Sequence, residues 1–184
     1  MAQVLIVYGS TEGHTALVAA RMAEVIRAEG HSVEVEDARD IRKRLLDSHS
    51  DAVLVGGSIH AGDYQSSLKE FVRRNRDFLD RVPSAFFSVS LSAADPDEES
   101  STEIETTVDK FVKETGWRPK RIEKVAGALV YTQYNIFIRH IMKLIVKQHG
   151  RSELDTSRDY DFTDWSAVEE FARDFARKEC PQTV

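Results

Sequence analysis

The chain has 184 residues, is 41% hydrophobic and 30% charged, and carries a formal net charge of −6. That length favours a single domain over 1–184, and no apolar run approaches the roughly 20 residues of a membrane-spanning helix. The lone cysteine, Cys180, excludes an internal disulfide and any paired-cysteine metal site, no signal peptide is expected, and placement in the cytoplasm follows.

Residues 3–8 read as a short β-branched strand. It ends abruptly in Gly9-Ser10-Thr11-Glu12-Gly13-His14-Thr15, and a helical pattern over 14–29 follows, with Leu17, Val18, Met22, Val25 and Ile26 in phase. Gly30 is placed to end that helix. Residues 32–37 alternate as an edge strand, 39–46 form a short helix or turn, and 51–56 are a continuous apolar run suited to a central parallel strand. A second loop, Gly57 to Tyr64, leads into a helix over 66–79. The fourth strand spans 84–90, and a small, acidic third loop runs from Leu91 to Ser101. A helix over 102–115 and a strand over 121–130 follow. Tyr134 to His149 reads as an extra helix, 150–163 as a return loop with a short strand near 160–162, and Asp164 as the N-cap of a last helix over 165–178.

Strand alternating with helix means an open parallel sheet covered on both faces. The expected fold class is α/β, a flavodoxin-like three-layer sandwich with five strands in the order 2-1-3-4-5 and a helical insertion near the fifth strand. The competing dinucleotide-binding order is weakened because GxGxxG and GxxxxGK[ST] are both absent.

In such sheets ligands bind beyond the carboxyl ends of the strands. A glycine- and hydroxyl-rich loop opening a helix is an anion site there. Ser10, Thr11, Glu12, Gly13, His14 and Thr15 are therefore the candidate phosphate cradle. Ser58, Ile59, His60, Ala61 and Gly62, with Ser90, Leu91, Ser92 and Ala93, are candidates to frame a flavin ring. Ile59, His60 and Tyr64 offer packing surfaces. A flavin would carry the redox chemistry itself, so no catalytic side chain is assigned. Ser58, His60 and Asp63 share one loop and make no nucleophile elbow. Asp95, Asp97, Glu98 and Glu99 read as a solvated acidic loop; a divalent-ion site there has no spacing motif behind it, and no metal is assigned. Trp117 and Trp165 read as core or rim packing.

Charge is unevenly spread. Between Arg118 and Arg151 eight Lys/Arg stand against the single acid Glu123, giving +7 and leaving −13 elsewhere. Arg139, Lys143 and Lys147 share one side of the expected extra helix, and apolar residues cover much of the rest. This composition suits an anionic lipid surface or anionic partner; packing of its apolar side on the protein's own core is the alternative. Nothing points to nucleic acid.

Ser10-Thr11-Glu12-Gly13-His14-Thr15 is similar to the flavodoxin phosphate loop [ST]-x-T-G-x-T, with Glu12 in place of threonine, so Glu12 is expected to point away from the phosphate. Gly57 to Tyr64, Pro83 to Leu91, Trp117-Arg118-Pro119, Ala126 to Tyr131, Ile141 to Lys147 and Thr163-Asp164-Trp165 together resemble the flavodoxin-type, menaquinone-dependent protoporphyrinogen oxidases of bacteria. The resemblance covers nearly the whole chain. It implies noncovalent FMN, oxidation of protoporphyrinogen IX to protoporphyrin IX in haem biosynthesis, and menaquinone or ubiquinone as acceptor. It also implies an insertion at about 131–158 and peripheral association with the inner face of the cell membrane. Tyr131, Arg139, Lys143 and Lys147 become candidate substrate or membrane contacts. A homo-oligomer is compatible with the sequence. A flavodoxin-type electron carrier and an NAD(P)H:quinone reductase are the competing readings.

Overall fold

The computed structural model describes residues 1–46, 49–95, 97–129 and 160–181. The extra helix expected over 134–149 and the candidate contacts Tyr131, Arg139, Lys143 and Lys147 lie outside the described residues.

In chain order the elements are β1 (Gln3–Gly9), α1 (His14–Ala28), β2 (Ser32–Asp37), α2 (Ala38–Ile41), β3 (Ala52–Ser58), α3 (Ser66–Leu79) and β4 (Ser84–Ser90). A 3-10 turn (Leu91–Ala94) follows, then α4 (Glu98–Thr115), β5 (Ile122–Ala126), β6 (Ala128–Leu129), β7 (Tyr160–Asp161) and α5 (Trp165–Lys178). Strands β1 to β5 form a parallel sheet in the order β2-β1-β3-β4-β5, as the alternation predicts. Strands β6 and β7 pair antiparallel beside it.

Period-two alternation sends each central strand's side chains to opposite faces. Val4 and Ile6 of β1, with Ala52 and Leu54 of β3, join the core beneath α1 and α5; Leu5, Val7, Val53 and Val55 join the core beneath α3 and α4. Both faces are covered, which is why these strands read as unbroken apolar runs. In the second core Phe86 stacks on Phe111 at 4.9 Å, and fully buried Trp117 meets the Phe86 ring edge-on.

Four expectations need correction. Leu17 is in phase with the apolar stripe yet 59% exposed. The fifth strand leaves the parallel sheet after Ala126: the Gly127 amide makes the final ladder bond, to the Ser90 carbonyl at 2.9 Å, and Ala128–Leu129 pair with β7 instead. Helix α4 begins at Glu98, so the acidic loop is shorter than expected. Asp97 caps that helix through the Ser100 amide, and Glu98 and Glu99 occupy the first turn, where the helix dipole favours negative charge. These acids build a helix start.

Candidate functional site

The parallel sheet brings the loops after β1, β3 and β4 to one end. Together they line a cleft open to solvent, with a cavity volume of about 110 Å³. The first loop contributes Ser10, Thr11, Glu12, His14 and Thr15; the second contributes Ser58, Ile59, His60, Ala61 and Gly62; the third contributes Ser90, Leu91 and Ser92. Val89, Glu103, Gly127 and Ala128 complete the lining and were not anticipated. Glu103 comes from α4 and the glycine–alanine pair from the β5–β6 corner, so no local motif marks them. Two expected residues do not line the cleft. Gly13 turns the first loop, with φ +90°, and its amide donates to Ser10 Oγ at 2.8 Å. The Ala93 amide donates to Ser90 Oγ, and its side chain packs on the second core.

The first loop is built to receive an anion. Helix α1 starts at His14 with no side-chain cap and no acid in its first turn, so its leading amides lack the partners that such groups need. Ser10 Oγ already accepts from Gly13, which leaves its proton to donate elsewhere. Thr15 Oγ1 is buried and has no hydrogen-bond partner. An orphaned buried hydroxyl is costly, and a phosphate oxygen placed at the helix start would satisfy it. The residues therefore fit a phosphate monoester. Glu12 turns across to the second loop, with its carboxylate 3.8 Å from His60 Nδ1.

The second loop folds as a tight hairpin. His60 and Asp63 exchange backbone hydrogen bonds at 2.9 and 3.2 Å, and Ala61 and Gly62 both have positive φ, the backbone of a primed two-residue turn. The Asp63 carboxylate anchors the hairpin to Lys69 at 2.9 Å and Lys110 at 3.1 Å. Burial raises the Asp63 pKa, but hydrogen bonds from the two lysines and the Tyr64 amide outweigh it and hold the group below its ordinary value. Tyr64 is not a packing surface for a ligand: it is buried in the second core with its hydroxyl 2.7 Å from Ser88 Oγ. Ser58 Oγ is held by Gln65 Nε2 at 2.7 Å. The same nitrogen reaches Thr11 Oγ1 at 3.0 Å, and buried Gln65 Oε1 has no partner.

The third loop curls through the 3-10 turn, and Ser92 Oγ donates to Glu103 at 2.8 Å. On the far side, His14 Nε2 lies 2.7 Å from Thr163 Oγ1, and that hydroxyl donates to the Ala126 carbonyl at 2.8 Å. Asp161 accepts from the Thr163 amide and from Trp165 Nε1. Burial lowers the His14 pKa, with the Asp161 carboxylate 3.9 Å away opposing it in part.

The arrangement can hold a phosphorylated planar group by its phosphate and by the backbone of two loops. Among the described residues no cluster of His, Cys, Asp or Glu could hold a metal ion.

Residues 5–156 match the flavodoxin domain family. The protoporphyrinogen IX dehydrogenase (quinone) of Escherichia coli strain K12 is 34% identical over 174 residues, covering 95% of this chain and 94% of its own. The protein of the same name from Leishmania major is 35% identical over 94% of this chain and 74% of its own. Among solved structures, oxidised flavodoxin 1 from Bacillus cereus superposes with a TM-score of 0.54 at 18% identity, covering 96% of this chain and 99% of that one, a likeness of fold. The chain belongs to the flavodoxin domain family, in the group that contains the quinone-dependent protoporphyrinogen IX dehydrogenases.

Proposed function

We propose that this chain is an FMN-dependent oxidoreductase that oxidises protoporphyrinogen IX to protoporphyrin IX and passes the electrons to a quinone, a step of haem biosynthesis. Near-full-length similarity to two dehydrogenases of that name carries the reading. The cofactor is FMN, and the unsatisfied Thr15 hydroxyl at an uncapped helix start supports its phosphate position. FMN would supply the redox chemistry when bound, accepting two electrons per cycle and passing them to the quinone, so that the six-electron oxidation takes repeated cycles.

The chain's own residues bind and orient. Ser10, Thr11 and Thr15, with the first amides of α1, hold the phosphate. Gly13 shapes their loop, and Glu12 is drawn aside toward His60. Ser58, Ile59, His60, Ala61 and Gly62 frame one side of the ring, and Ser90, Leu91 and Ser92 the other. Arg139, Lys143 and Lys147 contact the substrate propionates or anionic lipid, and Tyr131 joins them. The acceptor is menaquinone or ubiquinone, reached by peripheral association with the inner face of the cell membrane. Among the described residues no helix is long and apolar enough to cross a membrane.

The test is anaerobic turnover of the FMN-loaded protein with protoporphyrinogen IX and a soluble quinone, followed by porphyrin fluorescence. Quinone-dependent porphyrin formation supports the reading. Rapid NADPH oxidation with no porphyrin formation would instead favour an NAD(P)H:quinone reductase.

A further inference from the structure

We infer that Thr163 is a positioning residue for the cofactor phosphate, acting through His14 to hold the first turn of α1 against the β5–β6 corner of the cleft. The inference rests on the FMN reading above.

Thr163 precedes α5 and lies outside the cleft lining. Its hydroxyl joins two walls of that cleft. The Ala126 carbonyl can only accept, so Thr163 Oγ1 donates to it at 2.8 Å. The threonine oxygen then accepts from His14 Nε2 at 2.7 Å, which fixes the histidine as the tautomer protonated at Nε2. Ala126 leads directly into Gly127 and Ala128 of the cleft wall, while His14 opens α1 and lines the same cleft beside them. One hydroxyl thus spans the phosphate end and the β5–β6 corner.

The node is itself held. The Thr163 amide donates to Asp161 Oδ1 at 2.9 Å, and Trp165 Nε1 donates to Asp161 Oδ2 at 3.0 Å. The Trp165 ring meets the His14 ring edge-on at 5.9 Å between centroids. His14 carries one of the uncapped amides aimed at the anion site. A displaced imidazole would therefore misplace donors that need hydrogen-bond distances of about 2.9 Å.

The test compares FMN with riboflavin, which lacks the phosphate, by fluorescence titration of Thr163→Val, Thr163→Ser, His14→Phe and the Thr163→Val/His14→Phe double variant. Valine keeps the shape and removes both hydrogen bonds; serine keeps the hydroxyl; phenylalanine keeps the ring contact with Trp165. The expected result is FMN affinity reduced about tenfold, roughly 1.4 kcal/mol, in each of Thr163→Val and His14→Phe. Riboflavin affinity should be nearly unchanged, Thr163→Ser should bind like wild type, and the double variant should be no weaker than the worse single one, because both act through one contact. Equal losses for FMN and riboflavin, additive losses in the double variant, or no recovery with serine would overturn the positioning role. Should Thr163→Val not fold, His14→Phe and Thr163→Ser still decide it. Wild-type protein that bound neither flavin would overturn the cofactor reading instead.

Discussion

Gln65 Nε2 lies 2.7 Å from Ser58 Oγ and 3.0 Å from Thr11 Oγ1, so one side chain at the start of α3 ties the first loop to the second. Its carbonyl oxygen is buried without a partner, a cost that removal of the amide would relieve. Gln65→Met should therefore lower FMN affinity about tenfold while shifting the thermal midpoint little. Flavin titration and thermal unfolding of the same preparation check this. A large loss of stability with unchanged affinity would show that Gln65 serves only the fold.

Thr15 offers a prediction with two opposite signs. Its hydroxyl is buried and unpartnered in the protein alone. Thr15→Val should stabilise the flavin-free protein by about 1 kcal/mol, yet weaken FMN binding about tenfold or more. Denaturant unfolding without FMN and a binding titration measure the two effects. Loss of both stability and affinity would mean that the hydroxyl has an internal partner.

Much of this architecture is legible in the sequence because the signals are local. Asp164 accepts from the Ala167 amide as the N-cap expected from its place before an apolar stripe. The sheet order follows from the alternation of elements and the missing dinucleotide fingerprint. The start of α4 is obscured in the sequence because acids that stabilise a helix N-terminus also resemble a solvated loop; Asp97 shows its role only through the Ser100 amide. Tyr64 reads as a packing surface for a ligand because its local setting, a glycine-rich loop, says nothing of Ser88 on the neighbouring strand. The links of Glu103, Gln65 and Thr163 to the site are not legible for the same reason. Each meets the site through a contact with another element, Gln65 with Thr11, Glu103 with Ser92 and Thr163 with His14, which no spacing pattern encodes.

Gly56 lies against the ring of Phe87, its register partner on the neighbouring strand. A Cβ added there would lie 1.9 Å from Phe87 Cζ, within a ring that is fully buried. Overpacking of this kind usually costs about 1–3 kcal/mol, so Gly56→Ala should lower stability by at least that amount. Urea unfolding reads it directly, and a variant as stable as wild type would contradict the packing described for this face.

Burial keeps the His14 pKa below its ordinary value of 6.5 despite Asp161. Between 6.5 and that lower folded value, the unfolded chain holds a proton that the folded chain does not. Stability should therefore be fully present above pH 6.5 and fall as pH drops through this window. His14→Phe should remove that slope. Asp161→Asn, which deletes the opposing charge, should extend the decline to lower pH. Thermal midpoints across the range, with the His14 ring followed by NMR, provide the check; a His14 titration above 6.5 would reverse the sign.

The most direct measurement is the absorbance of the FMN-loaded protein during anaerobic addition of protoporphyrinogen IX. The oxidised flavin band should bleach on addition of the porphyrinogen, and a quinone added afterwards should restore it and let porphyrin accumulate. A flavin band that persists in the presence of the porphyrinogen, on protein shown to bind FMN, would contradict the proposed activity and leave an electron carrier of the flavodoxin type.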